Sequence, residues 1–314
     1  PRPACKGAAR SNWVMDALLS NCRLCPRECG VNRLLGELGA CRSGPEITAA
    51  RASLHLWEEP CLSGKNGSGT VFFSGCNLGC VYCQNAQISR GNTGKKISSG
   101  RLCEIFFELK EQGAHNINLV TATHFLPAVL NAVEKAKQNH LGIPFVYNCG
   151  GFEKADMLKR AEGLIDIFLP DLKYMSPQLA MAYSNAPNYP EAAKSALTEM
   201  VRQQPECVFD ETGMLKRGVI VRHLMLPGNL KDSKKVLRYL HQTFGDKIFI
   251  SIMSQYTPPA KGVNDFPELN RKVTKTEYEK LIEYAISLGI TQAFVQEGET
   301  ADASFIPDFD GRGI

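Results

Sequence analysis

The stretch GCNLGCVYCQN, Gly75 to Asn85, holds Cys76, Cys80 and Cys83 at the spacing C-x3-C-x2-C. Thiolates at such spacing bind Zn²⁺ or iron–sulfur clusters. A structural Zn²⁺ site is closed by four ligands, and no fourth Cys or His follows closely after Cys83. Three ligands leave one metal position open, the pattern of a centre that takes an exchangeable substrate or cofactor. Gly75 and Gly79 permit the tight turns such a loop needs. A second group, Cys22, Cys25, Cys29 and Cys41, reads C-x2-C-x3-C-x11-C. Four thiols could close a tetrahedral Zn²⁺ site or hold a second cluster, with Zn²⁺ the stronger reading. Such an ion would staple a segment too short to build its own core. Cys5, Cys61, Cys103, Cys149 and Cys207 stand alone and read as small buried hydrophobes. Metal ligation accounts for so many cysteines better than disulfides do in a reducing compartment.

Elements that could position these thiols follow. The chain is Cys-rich and turn-rich up to about residue 65, and SGKNGSGT, residues 63–70, leads into an alternating pattern. Apolar strand-like runs recur: VFFSG after Thr70, INLVT at 117–121, PFVYN at 144–148, IDIFLP at 165–170, VIVRHLML at 219–226, IFISIM at 248–253 and QAFVQ at 292–296. Between them, RLCEIFFELKEQG, LPAVLNAVEKAKQ, KKVLRYLHQTF and TEYEKLIEYAISLG have helical apolar spacing with Gly or Asn near their ends. Alternating strand and helix implies parallel pairing, as a full or partial barrel or a doubly wound sheet. In either, the C-terminal ends of the strands carry the site. Residues 187–216 are too long for a simple crossover and predict an extra helix and hairpin.

Chemistry-bearing residues fall at those strand ends: Cys76 after the first run, Thr121, Thr123 and His124 after the second, and Asn148, Gly150 and Gly151 after the third. Asp171 and Lys173 follow the fourth, and Arg222 and His223 lie on the fifth. Side chains alternate along a strand, so at most one of Arg222 and His223 points inward. Asp171 and Lys173 could instead be an ordinary ion pair, Thr123 a helix cap ahead of His124, and Asn148 part of a turn.

A chain of 314 residues with 44% hydrophobic and 22% charged content is ordinary for a globular protein. Its net charge of +4, from 36 basic and 32 acidic residues, is too small and scattered to indicate nucleic acid. No apolar run approaches the roughly 18 residues of a membrane span, and the first residues lack a signal-peptide core, so a cytoplasmic location is expected.

The three-cysteine loop with Tyr82 before its last Cys resembles the signature of the radical S-adenosylmethionine superfamily. CQN at 83–85, DLK at 171–173, RHLMLPG at 222–228 and the Asn-Cys-Gly-Gly turn at 148–151 are similar to activating enzymes of glycyl-radical enzymes, in the pyruvate formate-lyase activating enzyme branch. The resemblance spans roughly residues 68–300 and is nearest to activase-like iron–sulfur proteins. It implies a partial (β/α)6-type TIM barrel over residues 66–300, with a Cys-rich N-terminal extension at 1–65 and a tail at 301–314. It also implies a [4Fe-4S] cluster on Cys76, Cys80 and Cys83, whose open iron is chelated by S-adenosylmethionine. One electron cleaves the sulfonium bond, and a 5′-deoxyadenosyl radical abstracts hydrogen. Tyr82, Asn85, Thr121, Thr123, Asn148, Asp171, Lys173 and Arg222 are then the residues expected around the cofactor. The implied partners are a reductant such as flavodoxin or ferredoxin, and a glycyl-radical enzyme or a peptide or small-molecule substrate. One departure stands out: where the family carries a Gly-Gly-Glu-like motif, this chain reads Thr121-Ala122-Thr123-His124, and where a His is usual on the sixth strand it reads MSQYTPP, with Gln255 and Tyr256.

Overall fold

The computed structural model describes residues 12–90, 93–296 and 307–314. Cys5 and the expected boundary near residue 300 lie outside the described residues. Ten strands form one sheet: β1 (Ile47–His55), β2 (Ser68–Phe73), β3 (Lys95–Ile97), β4 (Ile117–Val120), β5 (Phe145–Cys149), β6 (Ile167–Pro170), β7 (Val208–Phe209), β8 (Leu215–Leu224), β9 (Phe249–Met253) and β10 (Ala293–Val295). Seven of them, β2-β4-β5-β6-β8-β9-β10, run parallel in chain order. A helical crossover joins each to the next, among them Ser99–Glu111, Leu126–Gln138, Leu230–Phe244 and Lys275–Ser287. This is the partial (β/α) barrel expected. β3 and β10 end the strand order, so among the described residues the ring stays open.

The central strands β4, β5 and β6 are buried at every position, as parallel strands covered on both faces must be. Each crossover helix lays an apolar stripe on the sheet; in Leu230–Phe244 it is Val236, Leu237, Leu240 and Phe244. Ser98 caps the first crossover helix through Arg101 N, and Thr274 with Glu277 forms a capping box on the last. The long 187–216 segment supplies the extra helix, Tyr189–Gln203, and the β7–β8 antiparallel pair.

Two strands gave no usable sequence signal. β1 pairs antiparallel with β2 and β3 along one edge; its sequence ITAARASLH is Ala-rich and only half alternating, and β3 is three residues long. Residues 307–314 lie along β1, with Ala52 N donating to Arg312 O at 2.9 Å and Phe309 set edge-on to Phe72. Between β1 and β2 the short helix Pro60–Ser63 plugs the barrel where the parallel strands begin. Its Cys61 and Leu62 pack on Val146, Ile167, Leu169, Leu215 and Ile220. Of the isolated cysteines, Cys61 and Cys149 are buried free thiols as expected, whereas the buried Cys103 is disulfide-bonded.

Candidate functional site

At the C-terminal ends of the parallel strands lies a cavity of about 260 Å³. Cys76, Cys80 and Cys83 line it with Tyr82, Asn85, Thr121, Asn148, Asp171, Lys173 and Arg222. Residues from Cys76 to Arg222 thus meet because each follows, or ends, a neighbouring strand.

The cysteine loop follows β2. Gly75 has φ +89°, and a Cβ there would come within 2.3 Å of Ser43 Oγ and 2.8 Å of Cys41 O, so this position requires glycine. Leu78 N lies 3.4 Å from Cys76 Sγ, and Ser184 Oγ donates to Cys80 Sγ at 3.0 Å. Burial pushes the Cys76 thiol up to about 12, and the neighbouring Cys80 and Cys83 push the same way. Burial and then Cys80 also raise Cys83, while Lys173 opposes them. Three crowded, dehydrated thiols with backbone and hydroxyl donors aimed at sulfur suit a cationic centre that would draw them into the thiolate form. Among the described residues, no three His, Cys, Asp or Glu side chains are gathered for one single metal ion. A cubane spreads its ligands over separate irons, and the donor set fits that group.

Opposite the loop is a largely buried charge network. Lys173 Nζ bonds Asp171 Oδ2 at 2.6 Å, and Arg222 Nε bonds Asp171 Oδ1 at 3.1 Å. Arg222 also reaches Asn148 Oδ1 at 2.5 Å and Glu58 Oε2 at 3.2 Å. Burial alone would raise the Asp171 carboxyl, but Lys173 and Arg222 hold it below the usual range. Asp171 and Arg222 face each other across a parallel bridge between β6 and β8. His223 points the other way, is buried, and bonds Leu172 O at 2.8 Å, as strand alternation requires.

Of the residues expected around the cofactor, Thr123 alone stands away from the cavity. Thr121 lines the cavity with φ +59°, an unusual backbone for a β-branched residue that costs on the order of 1–3 kcal/mol. Thr123 does not line it; its hydroxyl donates to the buried Glu153 at 2.6 Å. Tyr82 lines the cavity and shares a 2.6 Å hydrogen bond with Tyr174 OH, which in turn reaches Ser184. Gln255 lines the cavity and accepts from Gln84 Nε2 through its carbonyl at 3.2 Å, while Tyr256 is buried and donates to Leu269 O.

Sequence reasoning missed His55, Trp57 and Glu58, which reach the cavity from the end of β1 and the segment after it. Their only signal was WEEP at 57–60, a paired-acid motif that usually marks a solvated surface. Burial lowers His55 to about 4, with Arg222 and Arg51 adding to the effect, so its ring is neutral.

Cys22, Cys25, Cys29 and Cys41 are also brought together. They line a second, far smaller cavity, of about 10 Å³, with Arg27, Arg33 and His124. Cys22, Cys25 and Cys41 are buried and Cys29 is exposed.

The Radical SAM superfamily model matches residues 70–240, more than half of the chain. The chain belongs to the radical SAM superfamily. It is an enzyme of that class, and membership implies a [4Fe-4S] cluster and S-adenosylmethionine. An uncharacterized protein of Methanocaldococcus jannaschii is 29% identical over 282 residues, covering 87% of this chain and 76% of that protein. A domain of pyruvate-formate lyase-activating enzyme from Bacteroides vulgatus aligns at TM-score 0.37 and 13% identity, over 55% of this chain and 92% of that one. Methylornithine synthase PylB aligns at TM-score 0.45 and 14% identity, over 68% and 58%. The FeFe-hydrogenase maturase HydG of Carboxydothermus hydrogenoformans aligns at 0.46 and 13%, over 68% and 49%. No helix among the described residues is long and apolar enough to cross a membrane.

Proposed function

We propose that this radical SAM enzyme cleaves S-adenosylmethionine reductively and uses the resulting radical to take hydrogen from a substrate held in the same cavity. The observation that carries the reading is the shared lining: three cluster-type thiols and the Asp171–Lys173–Arg222–Asn148 network face one space of about 260 Å³. Cys76, Cys80 and Cys83 would hold the cluster. When bound, it supplies the electron that breaks the sulfonium carbon–sulfur bond to methionine and a 5′-deoxyadenosyl radical.

The chain's own residues bind and orient. Arg222 and Lys173 are the cations available to the methionyl carboxylate, Asp171 and Asn148 the acceptors for ammonium or ribose hydroxyls, and Tyr82 the ring beside the adenine. Asn85 and Thr121 complete the lining. Plugging of the barrel by Pro60–Ser63 keeps bulk water from entering below, which a reactive radical requires. A low-potential donor such as flavodoxin or ferredoxin supplies the electron.

Two substrate classes fit this chemistry: a glycyl-radical enzyme presented as a loop, as for the activases it resembles, or a small molecule or peptide side chain. The replacement of the Gly-Gly-Glu-like motif by Thr121–His124 favours the second. The four-cysteine group is not gathered around one single ion as it stands, and its assignment to a Zn²⁺ ion or a second cluster rests on its four thiol donors alone. Anaerobic reconstitution with dithionite and S-adenosylmethionine tests the central reading: 5′-deoxyadenosine forms with wild type, and its absence refutes it. Deuterium exchange into candidate glycyl-radical partners then separates the two substrate classes.

A further inference from the structure

The floor of the cavity is short of positive charge. Glu58 reaches it with a side chain 8% exposed. Its Oε1 accepts from Asn118 Nδ2 at 2.8 Å and Asn148 Nδ2 at 3.5 Å, and its Oε2 from Arg222 at 3.2 Å. Asn118 is fully buried on β4, and its Oδ1 has no hydrogen-bond partner. Glu59 is also buried, and its Oε2 has none. Asp171 already takes Lys173 and one face of Arg222, Glu58 takes another face of Arg222, and Glu59 feels the charge of Arg222 without an ion pair to it.

Burial raises the carboxyls of both Glu58 and Glu59, with Arg222 opposing in each case. The surroundings therefore do not supply enough positive charge to offset dehydration. Unpartnered buried acceptors beside dehydrated carboxyls are costly unless a donor completes them. The segment that carries them is fixed: Ser63 Oγ accepts from Glu58 N at 3.0 Å, and Asn116 Nδ2 donates to Leu62 O at 2.8 Å. Of Glu58, Glu59 and Asn118, Glu58 alone lines the cavity, so its carboxyl is the prepositioned acceptor and a further cationic donor is what it lacks.

We propose that Glu58, with Asn118 and Glu59 behind it, forms a substrate subsite that takes a protonated amine or guanidinium group of the hydrogen donor. This deepens the radical-enzyme reading and rests on it. Arg222, when engaged by the methionyl carboxylate, would release Glu58 for that group, which couples substrate entry to cofactor binding. The substrate class is then an amine- or guanidine-bearing small molecule or side chain, not a carboxylate or a phosphate.

Cluster-loaded protein with S-adenosylmethionine tests it, using putrescine, ethylguanidine and glutarate as probes in isothermal titration calorimetry. The subsite requires that both cations bind and glutarate does not. Glu58→Gln should weaken the cations by about tenfold or more, as expected for losing one charge-assisted hydrogen bond. Glu59→Gln, measured alongside, should weaken them less. Equal binding of glutarate, no binding of either cation, or cation binding unchanged in Glu58→Gln would overturn the subsite and leave ordered water as the floor's partner. The cation-over-anion preference is read on wild type, so poor folding of a variant does not remove the test. Electron paramagnetic resonance of the reduced cluster separates the two levels: if S-adenosylmethionine leaves the wild-type spectrum unchanged, the radical-enzyme reading itself fails, whatever the probes do.

Discussion

Two groups of cysteines line two cavities of very different size in this protein. The loop of Cys76, Cys80 and Cys83 opens onto about 260 Å³ lined by fixed charges, whereas Cys22, Cys25, Cys29 and Cys41 enclose only about 10 Å³. The second volume is about that of one small probe sphere. Burial lifts both Cys25 and Cys76 to about 12, so neither group is poised as a free nucleophile. The difference lies in what faces the sulfurs. The three-thiol loop faces Lys173, Arg222 and open space, as a catalytic centre with an exchangeable position must. The four-thiol group faces the buried Arg33 and the ring of His124 and has no room for a substrate. Number of thiols and free volume, more than thiol chemistry, distinguish the two groups, and on the proposed reading they divide a reacting centre from a holding one.

The largest expected effect tests that division directly. Cys76→Ala should abolish 5′-deoxyadenosine formation, by on the order of 10³-fold or more, equivalent to ~4 kcal/mol in barrier. Cys25→Ala should lower the thermal midpoint and the metal content by one site while leaving iron bound at the three-thiol loop. Iron, zinc and product assays on the two variants decide it; equal loss of product in both would merge the two groups into one functional unit.

Next in size is the charge network. Arg222→Met strands Asp171 and Glu58 in a dehydrated site. Breaking a buried pair by removing one partner costs about 3–5 kcal/mol. A urea unfolding midpoint unchanged from wild type would show that the network is solvated and contradict its role in orienting a cofactor.

Much of this arrangement was legible from residue types and spacing. All seven parallel strands were visible as apolar runs because strands covered on both faces carry continuous β-branched and aromatic residues. The strand-end rule then brought Asn148, Asp171, Lys173 and Arg222 to one mouth. Glu58 was not legible, because its position depends on β1 turning back beside β2 and on the Pro60–Ser63 plug, both long-range events with weak local patterns. Thr123 was placed by proximity to Thr121, yet the φ of +59° at Thr121 redirects the chain and turns Thr123 towards Glu153. A β-branched residue at such a φ is unforeseeable from pattern alone, since propensity argues against it.

Glu153 sharpens the comparison because it is a buried carboxyl whose charge acts on the four-thiol group. It accepts from Thr123 and Tyr147, and its charge would act on Cys25. Burial raises its carboxyl to about 7, against hydrogen bonds from Thr123 and Tyr147 that lower it. A carboxyl raised in the fold contributes stability at low pH. That contribution is lost as pH rises from the unfolded value, about 4.3, through about 7, a change on the order of 3 kcal/mol. Glu153→Gln should therefore flatten the pH dependence of the urea midpoint between those values and gain on wild type at pH 8. Parallel curves for the two proteins would show that Glu153 is ionised in the fold.

The smallest expected effect concerns how one cysteine group supports the other. Arg27, between Cys25 and Cys29, donates to Asn77 O at 2.7 Å, Leu78 O at 3.3 Å and Ser184 O at 2.8 Å, and also to Asn185 O. Asn77 and Leu78 lie inside the cluster loop, and Ser184 donates to Cys80 Sγ, so one guanidinium ties the four-thiol segment to both supports of the three-thiol loop. Its partners are carbonyls at a half-exposed surface, where water can replace part of what is lost, so Arg27→Ala should cost about 2 kcal/mol. Arg27→Lys should recover only part of it, because an ammonium cannot span four carbonyls as a planar fork does. The informative readout is the cluster, not the melting curve. If Arg27 positions the loop, Arg27→Ala broadens or shifts the reduced-cluster resonance at unchanged iron content. An unaltered spectrum with a lower midpoint would make Arg27 a brace for the N-terminal segment alone, and the two cysteine groups would be neighbours without being coupled.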